Sequence, residues 1–207
     1  MGIAERKKKA RLDMRGLILS TAERLFVREG YEKVTMRRIA QAMEYSPTTI
    51  YRHFKDKADL LFHLLEGYHG ALRIRMEKVY DGAPNAMEAV RAGMRAYAEF
   101  GLANPSYYKL AFNCPPEFDA QSYLADGEEG TLLFKGHRAM VERCIREGLF
   151  RQMDVDLAAQ TVWMLNHGVT SLLLSNPNFP WKSRTELIES VIDCAIAGLR
   201  SMNGAAR

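Results

Sequence analysis

Apolar residues recur along this chain at helical spacing, in one segment after another. Leu12, Ile18, Leu19, Ala22, Leu25 and Phe26 mark an amphipathic helix over about 11–28, and Gly30 suits its C-terminal cap. Thr35 can cap a second helix in which Met36, Ile39, Ala40 and Met43 share one face while Arg37, Arg38 and Gln41 point away. Ser46 can cap a third, with Pro47 at the first helical position, where a missing N–H costs nothing. Ile50 and Phe54 then lie one turn apart on the buried side. Thr48, Thr49, Tyr51 and Arg52 face outward, a set of hydroxyls, an aromatic ring and a guanidinium that suits phosphates and base edges. Three helices in roughly 45 residues, the third presented outward, make the layout of a helix-turn-helix module.

The pattern continues as helix to the end of the chain. Asp56 can cap a helix running to about Tyr80, roughly 35 Å long at 1.5 Å per residue and suited to act as a lever between a head and a body. Asp81-Gly82-Ala83-Pro84 breaks it, and Asn85 with Glu88 starts the next, to about Ala103. Asn104-Pro105 restarts a shorter helix through Phe112, ended by Cys114-Pro115-Pro116. A loop is expected over 117–127, then a helix over 128–147 closed by Gly148, one from Asp154 to about Ser175, and a last one from a Ser183/Glu186 capping box through Leu199. The fold class is therefore all-α with about nine helices. The segment 154–175 leaves almost no polar face, and a helix apolar nearly all round must be covered on several sides. A second copy of the chain is the economical cover, giving a four-helix homodimer interface from the last two helices.

Charge changes the picture at one end only. Of the 207 residues, the first 60 hold 14 Lys and Arg against 8 Asp and Glu, and the remainder hold 15 against 17. Positive charge thus collects where the helix-turn-helix lies, as a polyanion-binding end for a partner such as double-stranded DNA would require, though composition alone fits a solvated basic tail equally well. Residues 1–10, with Arg6, Lys7, Lys8 and Lys9, read as a flexible basic arm. No stretch approaches the roughly 20 apolar residues needed to span a bilayer, and the start of the chain is not a signal sequence, so a cytoplasmic protein without membrane contact is expected. Cys114, Cys144 and Cys194 are odd in number and scattered, which fits core thiols better than a disulfide framework.

Enzyme chemistry finds little support, since the chain has no G-x-S-x-G, phosphate loop, H-E-x-x-H or telling carboxylate pair. His63, Glu66 and His69 fall within one arc of a helix, but no complementary ligands are evident, and neither a metal nor another cofactor is expected. Tyr97, Phe100, Tyr108 and Phe112 can form the wall of an apolar cavity or ordinary core, and helical spacing does not separate the two. His137, Trp163 and His167 are further candidates for ligand contact, with packing the favoured role for Trp163 and His167, which share a helix face.

The run L-I-L-S-T-A-E-R-L-F-V-R-E-G-Y-E-K-V-T-M-R-R-I-A, with S-P-T-T-I-Y-R-H-F-K-D-K-A-D-L-L after it, resembles the N-terminal domain of the tetracycline-repressor (TetR) family. The resemblance implies a DNA-binding head over 11–57 and a ligand-binding and dimerising body over 58–207. It implies that Thr35 and Lys57 hold phosphates and that Arg37 reaches a base edge. Thr48, Thr49 and Tyr51 would make contacts from the recognition helix, beside Pro47 and Arg52, with His53 on the DNA backbone. Glu44 and Thr48 stand where the family commonly has Gly. At Glu44 a left-handed turn is expected, at a cost of about 1 kcal/mol. Trp163-Met164-Leu165-Asn166-His167-Gly168, preceded by Asn104-Pro105 and Tyr108, resembles the subclass of bodies named for its Trp, His and Gly. The function implied is a homodimeric repressor that leaves a palindromic operator when a small apolar or aromatic effector enters the body. The alternative is a regulator controlled by a protein partner, or an activator.

Overall fold

The computed structural model describes residues 3–112 and 128–201, with side chains from Leu12 onward in the first helix. Among these residues there are nine helices and no strand. They are α1 (Ile3–Glu29), α2 (Met36–Ala42), α3 (Pro47–Tyr51), α4 (Lys57–Asp81), α5 (Ala86–Ala103), α6 (Pro105–Phe112), α7 (Glu129–Arg146), α8 (Val155–Ser175) and α9 (Arg184–Leu199). None is long and apolar enough to cross a membrane. The loop expected over 117–127, and Cys114 with it, lies outside the described residues.

The helices group into two compact units, Met1–Tyr68 with Lys109–Tyr123, and His69–Tyr108 with Leu124–Arg207. In the first unit Ile18, Ala22, Leu25 and Phe26 of α1 are buried with Ile39 and Ala40 of α2, Ile50 of α3, Phe54, and Leu60, Leu61 and Leu65 of α4. Leu12, expected on the buried face of α1, is 59% exposed. Six residues separate it from Ile18, and that offset turns it about 240° away from the core side. The helix also reaches back to Ile3 instead of starting near Arg11, so the segment expected as a flexible arm continues α1. Ala-Glu-Arg-Lys-Lys-Lys-Ala-Arg-Leu holds neither Gly nor Pro and is made of good helix formers, so an existing helix propagates through it.

Three caps form as the sequence implies. Thr35 Oγ1 accepts the Arg38 N–H at 3.1 Å, Ser46 Oγ accepts the Thr49 N–H at 3.3 Å, and Asp56 Oδ1 accepts the Asp59 N–H at 2.8 Å. Between α2 and α3 the chain turns at Glu44, whose φ of 59° is the one positive value at a described residue other than glycine. Glu44 is exposed, so nothing else offsets that strain. Replacing Glu44 with Gly is expected to raise the stability of the chain by about 0.5–1 kcal/mol. The measurement is the urea midpoint, and an unchanged or lower midpoint contradicts a strained turn.

The second unit is built around α5, which packs on α7, α8 and α9. Val90, Met94 and Ala98 of α5, Val141, Cys144 and Ile145 of α7, Val162 and Leu173 of α8, and Ile192 and Leu199 of α9 share its larger core. Arg95 clasps Glu189 through two hydrogen bonds (2.5 and 2.8 Å), tying α5 to α9, and Arg91 meets Asp193 beside it. The chain after α7 pairs with the end of α9, Arg151 N–H donating to Leu199 O at 2.8 Å. Asp154 caps α8 through the Leu157 N–H, but Ser183 holds the N-cap position of α9 without a side-chain hydrogen bond. Cys144 is a core thiol, pushed up to about 12 by burial and by Glu147, whereas Cys194, expected in the core, is exposed on α9.

Candidate functional site

In the first unit, α2 and α3 are held from behind and left open in front. Arg38 forms two hydrogen bonds to the Glu29 carboxylate (3.1 and 2.8 Å), tying α2 to the end of α1 and holding that carboxyl below its usual range. Arg15 donates to His53 O at 3.1 Å and places its guanidinium 4.4 Å from the Phe54 ring centroid, fixing the end of α3. His53 is accordingly half-buried. With the apolar sides of Ile50 and Phe54 sealed, Arg37, Pro47, Thr48, Tyr51 and Arg52 are exposed. Tyr51 is 53% exposed, beside the exposed Arg52, and so does not fill the core.

Three of the expected contact residues carry a second duty. Lys57 Nζ donates to Tyr31 O at 3.1 Å and lies 4.0 Å from the Tyr31 ring centroid, so its ammonium already braces the turn before α2. Thr49 is half-buried, with its hydroxyl 3.0 Å from Ser46 Oγ. Thr35 Oγ1 is engaged as the cap. Arg38 is spent on Glu29, which leaves Arg37 and Arg52 as the solvated guanidiniums of the pair of helices. Sequence reading missed Tyr45, 44% exposed just before α3, and the bracing role of Arg15. The signal for Tyr45 was an aromatic in a polar turn. For Arg15 there was none, because its partners lie 38 residues away.

In the second unit the structure gathers Tyr97, Tyr108, Trp163 and His167. The Trp163 indole N–H donates to the Tyr97 hydroxyl (3.4 Å), the Tyr97 and Tyr108 hydroxyls are 3.5 Å apart, and the Tyr108 hydroxyl lies 2.6 Å from His167 Nδ1. The Tyr108 and His167 rings stack, with centroids 5.5 Å apart and planes 15° from parallel. Burial lowers the His167 pKa, which favours the neutral ring in this hydrogen bond. Phe100 packs beside Tyr97 and Tyr108. His137 joins one ring further on, through Phe134, and its Nε2 donates to Ala159 O at 3.0 Å. Phe112 belongs to the other unit and is 37% exposed. Gly101 lets α5 sit tightly here, since a Cβ there would lie 2.8 Å from both Thr170 and Tyr108.

No group of three or more His, Cys, Asp or Glu side chains among the described residues is arranged to hold a metal. His63 sits 3.4 Å from Asp59 and edge-on to Phe54, and His69 is buried. The aromatic hydroxyls, the indole and the imidazole of this cluster are linked to one another by short polar contacts.

Residues 18–64 match the family described as bacterial regulatory proteins, tetR family, and residues 90–195 match the tetracyclin repressor-like C-terminal domain. The chain is similar to an HTH-type transcriptional regulator of Staphylococcus aureus, 29% identical over 97 residues that make up 47% of this chain and 52% of that one. It thus spans about half the length of that relative. A longer likeness, 25% identical over 167 residues, reaches the nucleoid occlusion factor SlmA of Vibrio cholerae, covering 77% of this chain and 83% of that protein. Among solved structures, a protein of unknown function from Rhodococcus shares the fold with a TM-score of 0.77 at 21% identity, over 91% of this chain and 96% of that one.

Proposed function

This chain belongs to the tetracycline-repressor family of bacterial regulatory proteins, and from that premise we propose that it is a homodimeric repressor that grips a palindromic operator with α2 and α3. The observation that carries the reading is the open face of Arg37, Thr48, Tyr51 and Arg52 on a helix pair whose back is fastened by Arg15, Arg38 and the buried Ile50 and Phe54. A salt titration on operator DNA from 0.05 to 0.3 M tests it, over roughly the range in which phosphate contacts lose their hold. Affinity that ignores both salt and operator symmetry contradicts it.

The individual residues divide by what they touch. Tyr51→Phe is expected to weaken binding to all DNA by a similar factor, because a phenol of this exposure serves phosphate. Arg37→Ala is expected to relax sequence preference, at about 1–3 kcal/mol of discrimination. Binding assays on operator and scrambled duplexes separate the two outcomes. Lys57→Ala mixes lost charge with the lost brace on Tyr31, and its effect includes a lower melting temperature.

Dimerisation is supported by α8, which buries small and medium side chains such as Ala158, Ala159 and Val162 inside the unit while Leu157, Met164 and Leu172 stand outside. The space around Gly168 is open, so a second helix can approach closely there. Trp163, His167 and Gly168 also support the Trp-His-Gly subclass for the body. Release follows when an apolar or aromatic effector, bound at the cluster of Tyr97, Tyr108, Trp163 and His167, favours the released state. A preference of about 5.5 kcal/mol swings occupancy from 1:99 to 99:1.

The likeness to a nucleoid occlusion factor supports a second reading, in which the body answers to a protein partner. Thermal-shift screening separates the two, because a true small ligand raises the melting temperature as its concentration rises.

A further inference from the structure

Two side-chain polar atoms of the second unit are shielded from solvent without a hydrogen-bond partner among the described residues, Asn166 Oδ1 and the Tyr80 hydroxyl. Asn166 is anchored through its amide N–H, which donates to Met94 O at 3.0 Å, whereas the Tyr80 hydroxyl has no such bond. Its neighbours Tyr97 and Tyr108 spend theirs in the network that ends on His167. Tyr80 packs on the same cluster as these two, on the face of α4 that also carries Leu72 and Met76. Its ring is pressed on the backbone of α5, since a Cβ on Gly93 would come within 2.6 Å of Tyr80 Cε1 and 3.0 Å of its hydroxyl oxygen. A chain that needed only to fill this space has Phe available, which leaves no polar atom stranded.

The surroundings restrict what can answer that hydroxyl. The side chains that Tyr80 packs with are Leu72, Met76, Ala96, Tyr97 and Tyr108. The arginines nearest in sequence on α4 and α5 are committed to carboxylates: Arg73 to Glu77 and Glu129, Arg75 to Glu99, Arg91 to Asp193 and Arg95 to Glu189. Burial pushes the Tyr80 phenol well above its usual range, so it stays protonated and acts as a donor. A carboxylate brought here finds a neutral phenol donor among largely apolar side chains, a poor exchange for its lost hydration.

We propose that Tyr80 is the polar anchor of the effector site, and that the effector is an uncharged, largely apolar molecule carrying a carbonyl oxygen that accepts the Tyr80 O–H. The inference rests on the body being an effector-binding unit and names the chemistry of its ligand. Tyr80 lies in the last turn of α4, the helix that starts at Lys57 beside the DNA-facing helices in sequence, so a ligand held there acts on the connecting helix directly.

Two matched triads test this on the full chain: diphenylmethane, benzophenone and diphenylacetate, and fluorene, fluorenone and fluorene-9-carboxylate. Melting temperature against concentration gives the affinities. The ketone of each triad is expected to bind tightest, and Tyr80→Phe is expected to weaken the ketones about tenfold while leaving the hydrocarbons within about twofold. The carbonyl stretch of bound fluorenone should fall to lower frequency in the wild type and return in Tyr80→Phe. Without ligand, Tyr80→Phe should melt at or above the wild-type temperature, because no hydrogen bond is lost. Tightest binding by the carboxylates, a ketone preference that survives Tyr80→Phe, a lower melting temperature for that variant, or no binding by any member overturns the proposal. Operator binding by the same samples keeps the two readings apart. Ketone selectivity without DNA binding leaves the site standing and removes the repressor, and DNA binding without ketone selectivity does the reverse.

Discussion

Replacing Met164 and Leu172 together with lysine is expected to turn dimers into monomers and to lower operator affinity by on the order of 10²–10⁴-fold, the avidity lost when two linked half-site contacts become independent. The two side chains are 70% and 52% exposed, and with Leu157 they form an apolar stripe on the outer side of α8. A two-fold axis brings such a stripe against its own copy, so each lysine meets apolar surface and a like charge at once. Each subunit should keep its fold, because surface substitutions away from buried features cost within about 0.5 kcal/mol. Sedimentation equilibrium reads the oligomeric state and a mobility-shift titration reads the affinity. A variant that remains dimeric would place the interface elsewhere.

The second large effect is a loss of stability in mild acid. His69 is 8% exposed and burial brings its pKa down to about 4, against a smaller opposing influence from Glu129. The unfolded chain takes up that proton near pH 6.5, whereas the folded chain does so only near pH 4. Above pH 6.5 both states hold a neutral ring and pH has no effect through this residue. Below it the unfolded state binds more protons, so stability falls until about pH 4, where the loss is complete. Between pH 6.5 and 5 this amounts to about 2 kcal/mol from His69 at 1.36 kcal/mol per pH unit. His137 and His167 act in the same direction, since burial lowers both. The wild type is therefore expected to lose about 2 kcal/mol more than His69→Gln between pH 7.5 and 5, measured by urea unfolding. Equal losses in the two proteins would show that His69 is not buried as a neutral ring.

The parts of this molecule that the sequence made legible are those with local causes. Thr35, Ser46 and Asp56 announce caps three residues ahead of their partners. Glu44 in place of a turn glycine announced a left-handed residue, and its φ of 59° is the one such value at a described residue other than glycine. The bracing contacts were not legible, because they join residues distant in the chain. Arg15 reaches His53, Lys57 reaches Tyr31, and Arg38 reaches Glu29. In the body, aromatic content made Tyr97 and Tyr108 candidates and the resemblance added Trp163 and His167, but only the packing of α5, α6 and α8 brings their polar atoms within 2.6–3.5 Å of one another. Tyr80 was passed over for the same reason: a tyrosine at the end of a helix looks ordinary until its hydroxyl is found buried without a partner. The start of α1 was misjudged on charge, which favours solvent but does not prevent helix.

The opening claim of the sequence, an exposed helix pair that reads DNA as half of a two-fold assembly, has one direct test. The full chain is incubated with a pool of random duplexes, and the bound DNA is recovered and sequenced through successive rounds. One short half-site is expected to appear twice in inverted orientation, with a fixed separation of about one helical turn or more. Recovery of unenriched sequence, or of a single half-site with no inverted mate, would contradict it.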